Sequence, residues 1–130
     1  MENDPISGEL DRIAATVIDA AFKVHRALGA GLLESAYERC FAYEVDERGL
    51  GVRRQVPLGI AYGKLNIEAA YRIDLLVEAQ VIVEVKAVDA LTPTHQAQLL
   101  TYLKLANLRL GFLINFNVPL LKHGIRRLAL

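Results

Sequence analysis

The sequence predicts a mixed α/β protein, a β-sheet with helices on its faces. Three observations carry this. In the first third, apolar residues recur every three or four positions, the period of a helix. After Gly49 the runs become short and β-rich and alternate with polar residues, the period of a strand. A third helical stretch then opens at Thr92-Pro93 and leads into a second set of strands. The order reads α-α-β-β-β-α-β-β.

Each element has its own justification. Leu10, Ile13, Ala14, Val17, Ile18, Ala21, Val24 and Leu28 share one helical face, with Ser7 as N-cap and Gly29 as stop. A second helix is expected over residues 32–48, with Leu33, Tyr37, Phe41 and Val45 as its stripe and Gly49 ending it. Residues 52–56 and 58–62 are one bent strand or two, punctuated by Pro57 and Gly63. Residues 71–77 and 81–87 are the clearest strands, joined by Glu78-Ala79-Gln80. Thr92 is a good N-cap, Pro93 suits the first helical position, and the helix runs to about residue 107. Residues 110–115 are almost wholly apolar and read as a central strand; residues 125–130 make a last one.

A chain of 130 residues is one domain's worth, so residues 1–130 are expected to fold as one unit. A hydrophobic content of 53% excludes disorder. No stretch approaches the roughly 20 apolar residues of a membrane span. The richest, residues 108–121, is broken by Arg109, Asn115, Asn117 and Pro119. The first five residues are acidic where a secretory leader is basic and then apolar. The single cysteine, Cys40, allows no internal disulfide and no CxxC knuckle. A soluble cytoplasmic protein is expected. The net charge is zero, against coating nucleic acid by bulk electrostatics. The charge is nevertheless divided: residues 1–50 hold ten acids and five bases, the remainder five acids and ten bases. No Ser-His-Asp pattern, P-loop or GxGxxG is present.

The chemistry concentrates in the 71–87 hairpin. Alternation sets Asp74 with Arg72 and Leu76, and Glu84 with Ile82 and Lys86, while Val81, Val83 and Val85 face the other way. A three-residue connection centred on Ala79 sets Asp74 opposite Glu84 and Arg72 opposite Lys86; any other loop length breaks that facing. A Glu and a Lys inside so apolar a strand are most simply an ion pair at a sheet edge. Asp74 adds a second negative charge there, which one lysine does not balance. A divalent cation would, because Mg²⁺ commonly uses one or two carboxylates plus waters and substrate phosphates. That reading is metal-assisted phosphodiester hydrolysis, with Lys86 positioning water or stabilising developing charge.

Asp74, nine residues, then Glu84-Val85-Lys86 resembles the PD-(D/E)XK nuclease superfamily. Gly31-Leu-Leu-Glu34-Ser-Ala-Tyr37 is similar to the GxxExxY signature that names one of its families, and Gln98-Leu-Leu-Thr-Tyr102 to a QxxxY motif of its exonuclease-like branch. The resemblance runs from about residue 13 to residue 128, and Ile73 stands where the superfamily's name has proline. It implies a restriction-endonuclease-like αβββαβ core with an extra N-terminal helix. It implies Asp74 and Glu84 as principal ligands of Mg²⁺ or Mn²⁺, with Glu34 near the metal and the Val85 carbonyl completing the site. Lys86 becomes the catalytic lysine; Gln98 and Tyr102, four apart on one helical face, reach the site or the scissile phosphate. The implied partner is nucleic acid, DNA rather than RNA, with no membrane and with a homodimer open.

Other residues have plainer readings. Glu34 also suits a first helical turn electrostatically. Tyr37 reads as a core aromatic with a bonded hydroxyl. His95, Gln98 and Tyr102 form a polar stripe of the kind that usually faces solvent. His25 and His123 read as surface or capping residues, and Cys40 as a buried inert thiol. Cations such as Arg53, Arg54, Lys64, Arg126 and Arg127 matter for phosphate only if they share a face. Two functions remain: a Mg²⁺- or Mn²⁺-dependent nuclease, or a non-catalytic nucleic-acid or protein interaction module retaining the nuclease fold.

Overall fold

The computed structural model describes residues 7–130; the acidic opening, residues 1–5, lies outside them. Helix α1 (Gly8–Leu28) starts where expected, Ser7 Oγ accepting the Leu10 amide at 3.1 Å. It ends at Gly29, whose φ of +69° suits glycine and whose amide donates to the His25 carbonyl. Its buried face includes Ala20, which the expected stripe lacks, while Leu28 at the expected edge is exposed. Helix α2 (Glu34–Glu47) begins two residues later than expected. Leu33 is its cap residue and points into solvent, so the stripe is Tyr37, Phe41 and Val45, all fully buried.

Strand β1 (Val52–Tyr62) runs through Pro57 as one strand. It is the sheet's edge, where a missing amide is tolerated. Strand β2 (Leu65–Val77) starts six residues before the expected Tyr71. Asn66, Glu68, Ala69 and Ala70 are poor strand formers; Asn66 is drawn in by pairing with Ala61 across the Gly63-Lys64 turn, and residues 68–70 form the irregularity opposite Gly59, with Ala69 at φ +52°. The register shifts between Leu58 and Ile60, around Gly59, where a Cβ would lie 2.9 Å from the Ile67 carbonyl oxygen. Strand β3 (Val81–Lys86), helix α3 (Pro93–Ala106), β4 (Leu110–Asn115), a 3₁₀ turn (Leu121–Gly124) and β5 (Ile125–Ala129) complete the expected order. Thr92 and His95 cap α3 reciprocally, Thr92 Oγ1 accepting the His95 amide at 3.3 Å and His95 Nδ1 the Thr92 amide at 3.1 Å.

The sheet order is β1-β2-β3-β4-β5. Only β3 and β4 are parallel, as a crossover through α3 requires; the other neighbours are antiparallel. Helices α1 and α2 cover one face over Leu75, Val77, Val81, Val83, Val85, Phe112 and Ile114. Helix α3 covers the other over Ile73, Leu76, Ile82 and Leu113. Among the described residues no helix is long and apolar enough to cross a membrane.

Candidate active site

The β2–β3 hairpin begins as regular sheet. Leu75, Leu76 and Val77 pair with Val83, Ile82 and Val81, the register expected from a turn centred on Ala79. The ladder then stops. The Asp74 amide donates to Glu84 Oε2 at 2.9 Å, and the Val85 amide donates to Asp74 Oδ2 at 2.9 Å. Each carboxylate has taken the backbone donor that a facing carbonyl would otherwise hold, so the strands part around two acidic side chains. Asp74 and Glu84 therefore do converge, but through these bonds rather than as a ladder pair. The expected facing of Arg72 and Lys86 does not form: Arg72 pairs with Pro57 on β1 and is exposed, and Lys86 lies beside Asn115 on β4.

Strict alternation on β2 fails at the same point. Ile73 and Leu76, three apart, pack on the same side of the sheet, whereas Leu75 packs on the other. The β1–β2 ladder passes from Arg54–Leu75 to Val56–Ile73 and omits the pair between them, Gln55 and Asp74. Gln55 has φ +54°, a left-handed conformation that re-aims its side chain. The break in alternation falls between Ile73 and Leu75, at Asp74.

The local field is acidic. Burial raises the Asp74 carboxyl to about 6; the Val85 amide and Lys86 oppose this, and the charge of Glu38 adds to it. Burial and then the charge of Asp74 raise Glu84, only 4% exposed, to about 8. Lys86 is half-buried and lowers both through its field. It makes no ion pair within 4.0 Å among the described residues, so the plain Glu84–Lys86 pair does not form. The Val85 amide points toward β2, and a strand residue's amide and carbonyl point the same way. The Val85 carbonyl therefore faces the parted region, while the Lys86 carbonyl turns to β4 and accepts the Phe116 amide at 2.9 Å.

Helix α2 contributes a residue that the sequence reading missed. Glu38 is 6% exposed and accepts from Arg54 Nε (3.1 Å) and Arg54 Nη2 (3.0 Å) and from Gln55 Nε2 (2.9 and 3.1 Å). Glu34, the acid of the GxxExxY pattern, opens α2, is exposed, and acts on Asp74 only weakly through its charge. Its signature partner Tyr37 is structural, as expected. The Tyr37 hydroxyl donates to the Gly29 carbonyl and accepts the Leu32 amide at 3.1 Å, and its ring stacks on Phe116 at 4.8 Å. The signal for Glu38 lay in the wheel of α2: with Tyr37 and Phe41 inside, positions 38 and 42 form one flank and position 40 the other. The buried flank is Glu38 and Ala42, which leaves Cys40 exposed, contrary to expectation.

Helix α3 supplies Tyr102 from the opposite face. It is buried, not on a solvated stripe, with its ring 5.3 Å from that of Tyr71. Burial, with Glu84 and Asp74 nearby, raises its hydroxyl to about 12. The hydroxyl has no hydrogen-bond partner among the described residues. Gln98 instead lines a shallow cavity of about 220 Å³ with Tyr71, Thr94, Ala97 and Thr101, and bonds to neither carboxylate. His25 Nε2 bonds to the Val118 carbonyl at 2.8 Å, a linking role. A larger groove, about 560 Å³ beside Ile18, Phe22, Phe112 and Ile125, contains none of these site residues.

A family model of the PD-(D/E)XK nuclease superfamily matches residues 11–128, and the chain belongs to that superfamily. Its fold is accordingly restriction-endonuclease-like, with α1 and β5 added to the αβββαβ core. Superfamily membership implies nuclease activity on nucleic acid in general, generally with divalent metals. No curated protein and no solved structure matches the chain.

The donor set fits such a cation. Among the described residues no three His, Cys, Asp or Glu side chains are gathered as a metal cluster. Mg²⁺ needs no such cluster, because one or two carboxylates suffice when water and phosphate fill the remaining positions. Two adjacent carboxyls, Asp74 half-buried and Glu84 buried, both resist ionisation, and Lys86 beside them makes no ion pair among the described residues, so the site lacks the positive charge that a divalent ion brings.

Proposed function

We propose that the protein is a divalent-metal-dependent nuclease acting on DNA, with Asp74, Glu84 and the Val85 carbonyl as ligands of Mg²⁺ or Mn²⁺. The observation that carries this reading is the parted hairpin, where two carboxylates displace a ladder beside a lysine without an ion pair. Regular strands would be more stable there, so the residues present are explained better by chemistry than by folding. Within the superfamily we infer the GxxExxY group, from Gly31, Glu34 and Tyr37.

The bound ion supplies Lewis acidity at the phosphoryl oxygen and a more acidic water. The chain's own residues do the rest. Glu84 and Asp74 would hold the ion through the oxygens their amide partners leave, Glu84 Oε1 and Asp74 Oδ1, the latter also 3.4 Å from Gln55 Nε2. Lys86 Nζ, with no carboxylate in contact, donates to the attacking water or to the charge developing on phosphate. Tyr102, held protonated, donates from the α3 side. Gln98, one turn before Tyr102, would contact nucleic acid near the scissile phosphate, and Glu34, exposed at the start of α2, would lie near the ion.

The test is calorimetric titration of Mn²⁺ into wild type, Asp74→Ala and Glu84→Ala, followed by cleavage of plasmid and single-stranded DNA and of RNA. The expected result is saturable binding lost in both variants, and metal-dependent DNA cleavage lost in Lys86→Ala. DNA affinity indifferent to chelator and never giving product would overturn the reading in favour of an interaction module.

A further inference from the structure

Arg54 and Gln55 are neighbours on β1, and neighbours on a regular strand point to opposite faces. Here both side chains reach Glu38. The left-handed backbone at Gln55 is what permits this. A non-glycine residue held there is strained, and such strain gathers where a side chain must be aimed. The aim is specific. Gln55 Nε2 carries two protons and stands between Glu38 Oε1 at 2.9 Å and Asp74 Oδ1 at 3.4 Å. Asp74 Oδ2 is fixed from the other strand by the Val85 amide. The carboxylate is therefore held from both sides, and the Gln55 hold is anchored on a buried acid that Arg54 neutralises.

We propose that Gln55, anchored by Glu38, is a positioning residue that orients Asp74 toward the cation it shares with Glu84. This rests on the metal-dependent reading above. It differs in what it predicts, because the Gln55 amide bridges Glu38 and Asp74, and losing that bridge should change Asp74 without unfolding the chain. Gln55→Gly removes the amide and relieves the backbone at once. The variant is expected to melt at the wild-type temperature or above it. Its Mn²⁺ affinity should fall about 10- to 100-fold, the usual effect of removing a group that orients a metal ligand. Glu38→Ala should give the same loss, and Glu38→Gln, which keeps an acceptor for Gln55, should restore binding to near the wild-type value.

A second readout needs no metal. In the metal-free protein, hydrogen exchange at the Val85 amide reports how firmly Asp74 holds it. Exchange there should quicken in Gln55→Gly while the amides of β4 keep their rates. Unchanged exchange at Val85, or unchanged Mn²⁺ affinity in Gln55→Gly, overturns the proposal. Wild type that takes up no Mn²⁺ while Val85 exchange still quickens in the variant removes the metal reading and leaves the positioning of Asp74 standing. If Gln55→Gly fails to fold, Gln55→Asn, which tolerates the left-handed backbone but is one methylene too short, is judged by the same two measurements.

Discussion

The two halves of the β2–β3 hairpin are built from the same strands and do opposite things. In the half next to the turn, Leu75–Val77 and Val81–Val83 pair backbone to backbone, and their side chains fill the cores on both faces. One residue further along, Asp74 and Glu84 break the ladder and leave two raised carboxyls and a lysine that makes no ion pair among the described residues. The first half is what stability alone selects. The second is what it would remove, and it survives because the first half and the parallel β3–β4 ladder hold β3 in place beneath it.

The sharpest way to break this contrast is to act on each half separately. Lys86→Ala in the parted half should lower DNA cleavage on the order of 10²–10³-fold, the usual effect of losing one transition-state donor. Its thermal melting should stay near wild type, because Lys86 makes no ion pair to lose. Cleavage assays and a melt on the same preparation check both halves of that statement. Retained cleavage would refute the role of Lys86.

Leu75→Ala acts on the paired half. Leu75 is fully buried, and such truncations cost about 2–5 kcal/mol. Urea denaturation should show that loss, while the folded fraction keeps its Mn²⁺ affinity. A variant that lost metal affinity without losing stability would erase the distinction between the halves.

A smaller effect joins the two. The Asp74 and Glu84 carboxyls are raised in the folded chain, to about 6 and about 8, from ordinary values near 4. Between those limits the native state holds protons that the unfolded chain has released, so stability falls as pH rises. The metal-free protein should melt lower at pH 8 than at pH 5. Glu84→Gln should remove much of the difference, and saturating Mn²⁺ should raise the pH 8 melt most, since it binds the ionised form. A flat or rising profile would contradict the buried acidic pair.

The sequence carried the fold further than the site. Caps at Ser7 and Thr92 and the apolar run of β4 are local signals, read directly from residue type and period. The early part of β2 was not legible, because its strand state comes from pairing with β1. At the site, Asp74, Glu84 and Lys86 stood out as charges in apolar strands. Gln55 did not, since nothing in Arg-Arg-Gln-Val announces a left-handed residue. Glu38 was hidden by a question of flank: the Tyr37–Phe41–Val45 stripe locates the buried face of α2 without saying which side of it goes in. The same uncertainty misplaced Cys40.

Tyr102 offers the smallest and most telling separation of the two demands. Its ring is buried, and its hydroxyl, near the acidic pair, is partly buried, stays protonated and has no hydrogen-bond partner among the described residues. A buried hydroxyl left without a partner costs roughly 1–3 kcal/mol. Tyr102→Phe keeps the ring against Tyr71 and removes that cost, so the variant should be modestly more stable in urea. If the hydroxyl is a donor to phosphate, the same change should slow DNA cleavage about tenfold, the value of roughly one hydrogen bond in the transition state. Stability and rate then move in opposite directions from one atom. A variant that gained stability and kept its full rate would show the hydroxyl to be a tolerated fault in the core; one that lost both would show a structural bond at Tyr102.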